Sequence, residues 1–469
     1  MTGPIARALY FGPASRQCFG WLHESTLTPQ HPMGLVICSP FGAEDLCAHR
    51  SLRHMAIATA NLGVPALRFD YHGSGDSAGA EEQHDHPSAW VRSIHDAIEL
   101  LRAQTGVQRV CVFGLRLGAM LGALAAATRG DVCAFVALAP VVSGRAWLRE
   151  LRLQAEVAAA QGTSVENVRP PIECAGFTVT PDAQDELIRI DLRRIGVAPA
   201  ATVLLLDRDD LPLDGSWDLH LVRAGASVEH RDWSGYASMM AGTGSNATPH
   251  ASIAQLAHWI RSQALAVDGR VPPRDEKAAA GSKPPRATLE LPRSGARSCI
   301  AHGAPVALRG PEALCAILSE PQSGLVKRAV VLLNTGMARR VGPSRMYVTW
   351  ARRWAAQGVA VLRLDLPGLG DSAVQPGEVE GDVYDGATRA AIAAAVEHLR
   401  GRFGAIECGL MAVCSGAFHA LEAAAAGVPV SSLVLINQAT FHWRHGMTLK
   451  DMPLSWRVAH ALTDREPVA

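Results

Sequence analysis

The sequence predicts an α/β chain in which one mainly parallel sheet occurs twice. Three observations lead there. Short apolar runs alternate with helical stretches in both halves of the 469 residues, the pattern of parallel strands joined by helical crossovers. A ten-residue segment, Arg68-Phe69-Asp70-Tyr71-His72-Gly73-Ser74-Gly75-Asp76-Ser77, returns as Arg363-Leu364-Asp365-Leu366-Pro367-Gly368-Leu369-Gly370-Asp371-Ser372 at an offset of 295 residues. A strand, sharp turn and alanine-rich helix beginning at Gly114 return at Ala412 at an offset of 298. Landmarks in one order at nearly one offset point to a tandem duplication. The expected layout is a domain over 1–263, a linker over 264–297 rich in Pro, Lys, Asp and Ala, and a second domain over 298–469.

In chain order, residues 8–24 read as two antiparallel strands around a Gly-Pro turn. Gly34 to Ser39 suits a buried parallel strand, followed by a helix over His49 to Leu62 and a strand over Val64 to Asp70. The loop Tyr71 to Ser77 is Gly-rich but lacks the GK[ST] ending of a phosphate loop. A helix over Ala89 to Gln104 leads to the strand Arg109 to Phe113, and then Gly114-Leu115-Arg116-Leu117-Gly118-Ala119 opens another helix. After the strand Ala134 to Ala139, the polar stretch Ser143 to Leu192 is expected to form a helical cap. Strands over Thr202 to Leu206 and Ser227 to Trp233 and a helix over Ile253 to Gln263 complete the first domain. In the second, Ile406 to Met411 precedes Ala412-Val413-Cys414-Ser415-Gly416-Ala417, and Leu433 to Asn437 reads as a strand.

Composition narrows the function classes. Forty-four basic and 44 acidic residues cancel, so there is no electrostatic case for nucleic acid or an anionic membrane as partner. No apolar run reaches the roughly 18 residues that a spanning helix needs. The start, MTGPIARALYFGP, lacks a signal-peptide layout, so a cytoplasmic location is expected. The ten cysteines show no paired spacing and read as free thiols. No CxxC, HExxH or His/Asp cluster indicates a metal, and no cofactor is expected.

The two strand-turn-helix corners hold the candidate chemistry. Small residues two places either side of a turn let strand and helix backbones nearly touch, as a nucleophile elbow requires; Ala412 and Gly416 meet that need around Cys414. The helix N-terminus is expected to favour a thiolate and to offer the Ser415 N–H to an oxyanion, with Gly336 or Met337 supplying a second donor. A structural cysteine before a helix gives the same pattern. At the corresponding place the first domain has Arg116, which cannot be deprotonated to become a nucleophile.

At this point the chain resembles the α/β-hydrolase superfamily, specifically serine-aminopeptidase-like hydrolases. YFGPASRQCFGWLH, SPFGAEDLCAHRSLRHMA, LRFDYHGSGDSAG, GLRLGA and VVSGRAWLREL are similar to the exosortase-A-system-associated hydrolases. LNTGMARRVGPSRMYV, RLDLPGLGDS, AVCSGAFHA and LVLINQATFHW resemble the companion hydrolase domain. The resemblance implies two tandem α/β-hydrolase domains, the second lacking its C-terminal strands, since only 53 residues follow Gly416. It also implies positions for an acid and a base. In the first domain these hold Asp210 and Gly235-Tyr236-Ala237, with no histidine, so Arg116, Asp210 and Tyr236 mark a degenerate site in which Arg116 pairs with Asp210 or another carboxylate, or faces an anionic ligand. In the second, Cys414 is chemically adequate, as dienelactone hydrolases show; His442 or His445, which flank Trp443 after the strand Leu433 to Asn437, is the candidate base, His442 taken first. His460 is the other histidine beyond the elbow helix, and Asp451 is no better supported as a partner.

Two functions from different classes follow. In one, a hydrolase or acyl transferase uses Cys414 on a small ester or thioester substrate. In the other, an inactive pseudohydrolase binds a small anion or a partner protein through Arg116. A truncated second domain would expose an unfinished sheet edge, inviting an oligomer or partner to complete it.

Overall fold

The computed structural model describes residues 5–25, 32–79, 86–159, 171–174, 176–211, 215–242, 246–267, 287–291, 299–308, 314–322, 325–374, 377–384, 387–438, 440–441, 443 and 447. The chain divides into two compact units, Met1–Ser298 and Cys299–Ala469.

In the first unit, apolar runs form β1 (Ile5–Phe11), β2 (Cys18–Glu24), β3 (Met33–Cys38), β4 (Ala66–Phe69), β5 (Arg109–Leu115) and β6 (Val132–Leu138). A small hairpin, β7 (Ile172–Cys174) and β8 (Phe177–Val179), belongs to the cap, and β9 (Thr202–Arg208) and β10 (Ser227–Trp233) return to the sheet. The eight-stranded sheet runs β1-β2-β4-β3-β5-β6-β9-β10, antiparallel from β1 to β4 and parallel thereafter. Both faces are covered, which is why the strands are continuous apolar runs. Along β3, Met33, Leu35 and Ile37 pack into one core while Val36 and Cys38 pack into the other, the two-residue alternation of a pleated strand.

The second sheet comprises β11 (Ala287–Leu291), β12 (Cys299–Leu308), β13 (Leu314–Pro321), β14 (Arg328–Leu333), β15 (Val359–Leu364), β16 (Glu407–Val413) and β17 (Ser432–Ile436). Its order is β11-β12-β13-β15-β14-β16-β17. The segment expected as a linker over 264–297 is therefore partly structured: the helix His250–Ala266 runs past Gln263, and β11 forms a strand. From β12 onward the order matches β1 to β6 of the first sheet. Beyond β17 no further strand occurs among the described residues, and this terminal strand leaves Val434 48% and Ile436 37% exposed, where the corresponding β6 is almost wholly buried against β9.

Strand order also places the site. The chain adds β4 on one side of β3 and then β5 on the other, so the crossovers part at the C-terminal ends of β3 and β5, where ligands of open α/β sheets bind. Cys38 there pairs with Gly114; in the second sheet Leu333 pairs with Ala412 at the same place. The loop whose sequence recurs is built alike in both units. Ser77 Oγ donates to the Asp70 carbonyl at 2.6 Å and accepts from the Phe19 amide at 2.8 Å. Ser372 Oγ donates to the Asp365 carbonyl at 2.6 Å and accepts from the Cys315 amide at 2.9 Å.

Candidate functional site

Both corners have the sharp geometry that their small residues allow. Arg116 caps the helix Leu117–Ala126 with φ 54° and ψ −119°; Cys414 caps the helix Ser415–Ala425 with φ 56° and ψ −119°. The Arg116 amide donates to the Leu138 carbonyl at 3.0 Å, and the Cys414 amide to the Ile436 carbonyl at 2.9 Å. A Cβ on Gly118 would strike the carbonyl oxygens of Cys38 and Ser39, and one on Gly416 the carbonyl oxygen of Asn334. Left-handed backbone at a non-glycine residue costs of order 1–3 kcal/mol. Because arginine holds it as fully as cysteine does, the strain belongs to the scaffold and does not by itself mark a nucleophile. Gly118→Ala is expected to destabilise the first unit by about 1–3 kcal/mol through overpacking, which chemical unfolding monitored by tryptophan fluorescence will measure.

In the first unit Arg116 is buried and paired, with carboxylates other than the one proposed by name from sequence. Its Nε donates to Glu44 Oε1 at 2.7 Å and its Nη2 to Glu150 Oε1 at 2.6 Å. Glu44 lies in the first turn of the helix Ala43–Asn61 that follows β3, and Glu150 on the cap helix Gly144–Ala159. Burial disfavours the guanidinium charge, but the two carboxylates outweigh it and hold Arg116 above its ordinary range. Burial in turn raises the Glu44 carboxyl, with Arg116 opposing.

Asp210 does not reach Arg116 as an ion-pair partner. It takes the Arg208 guanidinium at 2.6 Å, which holds its carboxyl below the usual range. Its neighbour Asp209 accepts the amides of Gly235 at 2.6 Å and Ala237 at 3.1 Å, fastening the loop where a catalytic histidine would stand. Tyr236 in that loop is buried beneath Arg208, whose guanidinium carbon lies 4.5 Å from the ring centroid, and burial pushes its phenol up. Among the described residues the constellation contains two guanidinium groups, carboxylates and a phenol, with no imidazole to serve as base. Beside it, a cavity of about 890 Å3 opens between Arg116, the loop Pro140 to Ser143, the cap helix and the segment Ile188 to Arg194.

In the second unit Cys414 is half-buried. The expected thiolate is not favoured: burial raises the thiol, and the Ser415 N–H only partly offsets it. Desolvation of a sulfur packed against the sheet outweighs the field of one helix turn. Gly336, expected to donate to an oxyanion, spends its amide on Ser415 Oγ at 2.8 Å. Met337 lies next to it in a turn closed by the Ala338 amide on the Thr335 carbonyl at 3.0 Å. Tyr347 and Tyr384 stand close enough for a charge on Cys414 to raise their phenols further, behind the larger effect of burial, which takes Tyr384 to about 12. His419 is committed at both nitrogens, Nδ1 with Thr388 Oγ1 at 2.9 Å and Nε2 with the Val383 carbonyl at 2.7 Å. His442, His445, His460 and Asp451 lie outside the described residues.

A second group, which sequence reasoning missed, lies below this corner. Arg340 Nη1 bridges Asp365 Oδ2 at 2.6 Å and Asp371 Oδ2 at 2.7 Å, with the Arg340 and Asp365 side chains wholly buried. Asn334 Nδ2 also donates to Asp365 at 3.1 Å. Cys315, Asp365 and Asp371 cluster tightly enough to suit a cation, but Arg340 already supplies the compensating charge.

Residues 29–204 match the family model described as serine aminopeptidase, S33. No curated protein matches the chain. Solved structures similar to it include a putative hydrolase from Agrobacterium vitis S4, 18% identical, covering 56% of this chain and 99% of that one at a TM-score of 0.38. Est1E from Butyrivibrio proteoclasticus with ferulic acid bound is 15% identical over 55% of this chain and 100% of its own, at a TM-score of 0.41. Proline iminopeptidase from Mycobacterium smegmatis is 16% identical over 56% and 100%, at 0.40. Among the described residues no helix is long and apolar enough to cross a membrane.

Proposed function

This chain is an α/β-hydrolase superfamily protein, and from that premise we propose that its first unit has exchanged hydrolysis for the binding of an anionic ligand. One observation carries the reading: the nucleophile position holds a buried guanidinium clamped by Glu44 and Glu150, and the base position holds Tyr236. Nucleophilic attack requires a group that can share an electron pair and a base to take its proton, and neither position offers one. What remains is a cation beside a cavity. The matched loops and corners of the two units support descent from one duplicated hydrolase domain.

A second reading is favoured by Cys414 itself, half-accessible at an elbow with the Ser415 N–H directed at its sulfur. Cys414 as thiolate would attack an ester carbonyl, expel the alcohol with a proton from water, and leave an acyl thioester for water to hydrolyse. The raised thiol makes this slow near neutrality, and alkylation of Cys414 by iodoacetamide is expected to accelerate steeply as pH rises through and beyond the ordinary thiol range.

The decisive comparison is p-nitrophenyl acetate turnover and fluorophosphonate labelling by the full chain and by Cys414→Ala. No labelling, and no turnover surviving the substitution, are expected. Turnover that persists in Cys414→Ala and disappears with Arg116→Met would overturn the non-hydrolytic reading of the first unit.

A further inference from the structure

The walls of the first unit's cavity say more about its ligand than the corner alone. They carry six arginines, Arg116, Arg145, Arg149, Arg189, Arg193 and Arg194, against two carboxylates, Glu150 and Asp191. Arg116 is tied to Glu44 and Glu150, and Arg193 to Asp191 at 2.8 Å. Arg145, Arg149, Arg189 and Arg194 are exposed and have no ion-pair partner among the described residues. Arg194 also lies near enough to Asp191 to help lower its carboxyl, but the arginines on the wall still outnumber the carboxylates by six to two. The like charges around one opening repel one another, an arrangement that a multiply charged anion relieves. Apart from Ser143 the remaining lining is apolar and includes Val141, a buried Trp147, Ile188 and Ile190. At about 890 Å3, the space suits a small organic molecule.

We propose that this cavity binds a phosphoryl group carried on an apolar body, a phosphate monoester or diphosphate, with the arginine rim and Arg116 taking its oxygens. The assignment rests on the anion-binding reading of the first unit and narrows it. A carboxylate has one charge and two oxygens, enough for one guanidinium fork. A phosphate monoester carries about −1.5 to −2 with three terminal oxygens and engages several arginines bidentately. Glu150 sets the threshold for binding. Its side chain is 44% exposed, lines the cavity and occupies one edge of Arg116, so an incoming phosphoryl group competes with it for that guanidinium.

Isothermal titration of the full chain with phenyl phosphate, benzoate and phenol tests this. Phenyl phosphate is expected to bind roughly tenfold or more tightly than benzoate, to weaken with added salt, and phenol not to bind. Removing rim charge in Arg145→Ala/Arg149→Ala/Arg194→Ala, all exposed positions, is expected to weaken phenyl phosphate about tenfold or more. Glu150→Gln, which removes the competitor and keeps its shape, is expected to tighten it several-fold. Benzoate binding as tightly as phenyl phosphate would overturn the phosphoryl assignment and leave the anion-binding reading standing. Binding of neither would overturn both. Phenyl phosphate affinity unchanged in the rim variant and in Glu150→Gln, with circular dichroism showing both folded, would place binding elsewhere and overturn the proposal.

Discussion

Arg340→Leu is expected to destabilise the second unit by about 3–5 kcal/mol, the cost of removing one partner from a buried ion pair. The substitution leaves Asp365 and Asp371, 0% and 1% exposed at their side chains, facing each other without the guanidinium that bridges them. Asp365 retains hydrogen bonds from the Arg340 amide at 2.6 Å and the Asp371 amide at 3.0 Å, but amide dipoles do not cancel a full charge in a dry interior. The deficit lies in the uncompensated charge rather than in lost packing. The triple variant Arg340→Leu/Asp365→Asn/Asp371→Asn should therefore recover much of the loss, because removing both signs is far milder than removing one. Urea unfolding monitored by tryptophan fluorescence reads both variants. A single variant as stable as the unaltered chain would show that the network contributes nothing.

Arg116→Ser places a hydroxyl at the elbow, and it is expected to confer no esterase activity while costing about 2–4 kcal/mol of stability at neutral pH. Activity is not expected because the titratable phenol near this position, that of Tyr236, is pushed up by burial and is a poor acceptor for the new hydroxyl's proton. The stability loss comes from stranding Glu44, and it is smaller than a fully buried pair would give because Glu44 and Glu150 are partly solvated, which screens the charge. Its pH dependence has a definite sign. In the folded chain burial holds the Glu44 carboxyl above its ordinary 4.5, with Arg116 pulling it back. A carboxyl raised in the folded state adds stability below its unfolded pKa, and that contribution is lost as pH climbs through the folded value. Removing Arg116 raises the folded value further, so the gap between variant and parent is widest near neutrality and narrows as pH falls through the variant's raised value towards the parent's, both above the ordinary 4.5. Below that Glu44 is protonated in both folded chains and the gap no longer changes. Unfolding curves of both chains from neutral to acid pH measure the gap. A gap constant with pH would mean that lost packing, not charge, accounts for the loss. Arg116→Lys, which keeps the charge but not the two-sided fork, should fall between.

Much of the fold was legible because strand and helix periods are local properties. Ser227 to Trp233 was bounded correctly from pattern alone, and β1 to β6 and β9 fell within a few residues. The helix begins at Ala43, six residues before the expected His49, with Glu44 and Asp45 in its first turn, where acidic side chains complement the helix dipole. β11 was hidden by its setting: five residues of strand pattern follow a stretch dense in Pro and Lys, and only pairing within a sheet distinguishes them from linker. The site was less legible. Nothing near Arg116 in sequence names Glu44 or Glu150, which lie 72 and 34 positions away. Asp210 stands where the resemblance implies the acid, yet Arg208, two residues away at the end of β9, takes it.

By itself the sequence determined that an α/β pattern occurs twice, that both copies turn sharply into a helix at Arg116 and Cys414, and that the first of these residues can be no nucleophile. Those conclusions depend on periodicity and side-chain chemistry, which neighbouring residues carry. Only the tertiary structure decided which carboxylates hold Arg116, that burial raises the Cys414 thiol against the helix field, and that the Gly336 amide is spent on Ser415. The reason is physical: charge partners, solvent exclusion and the direction of a free N–H are set by groups brought together from distant parts of the chain.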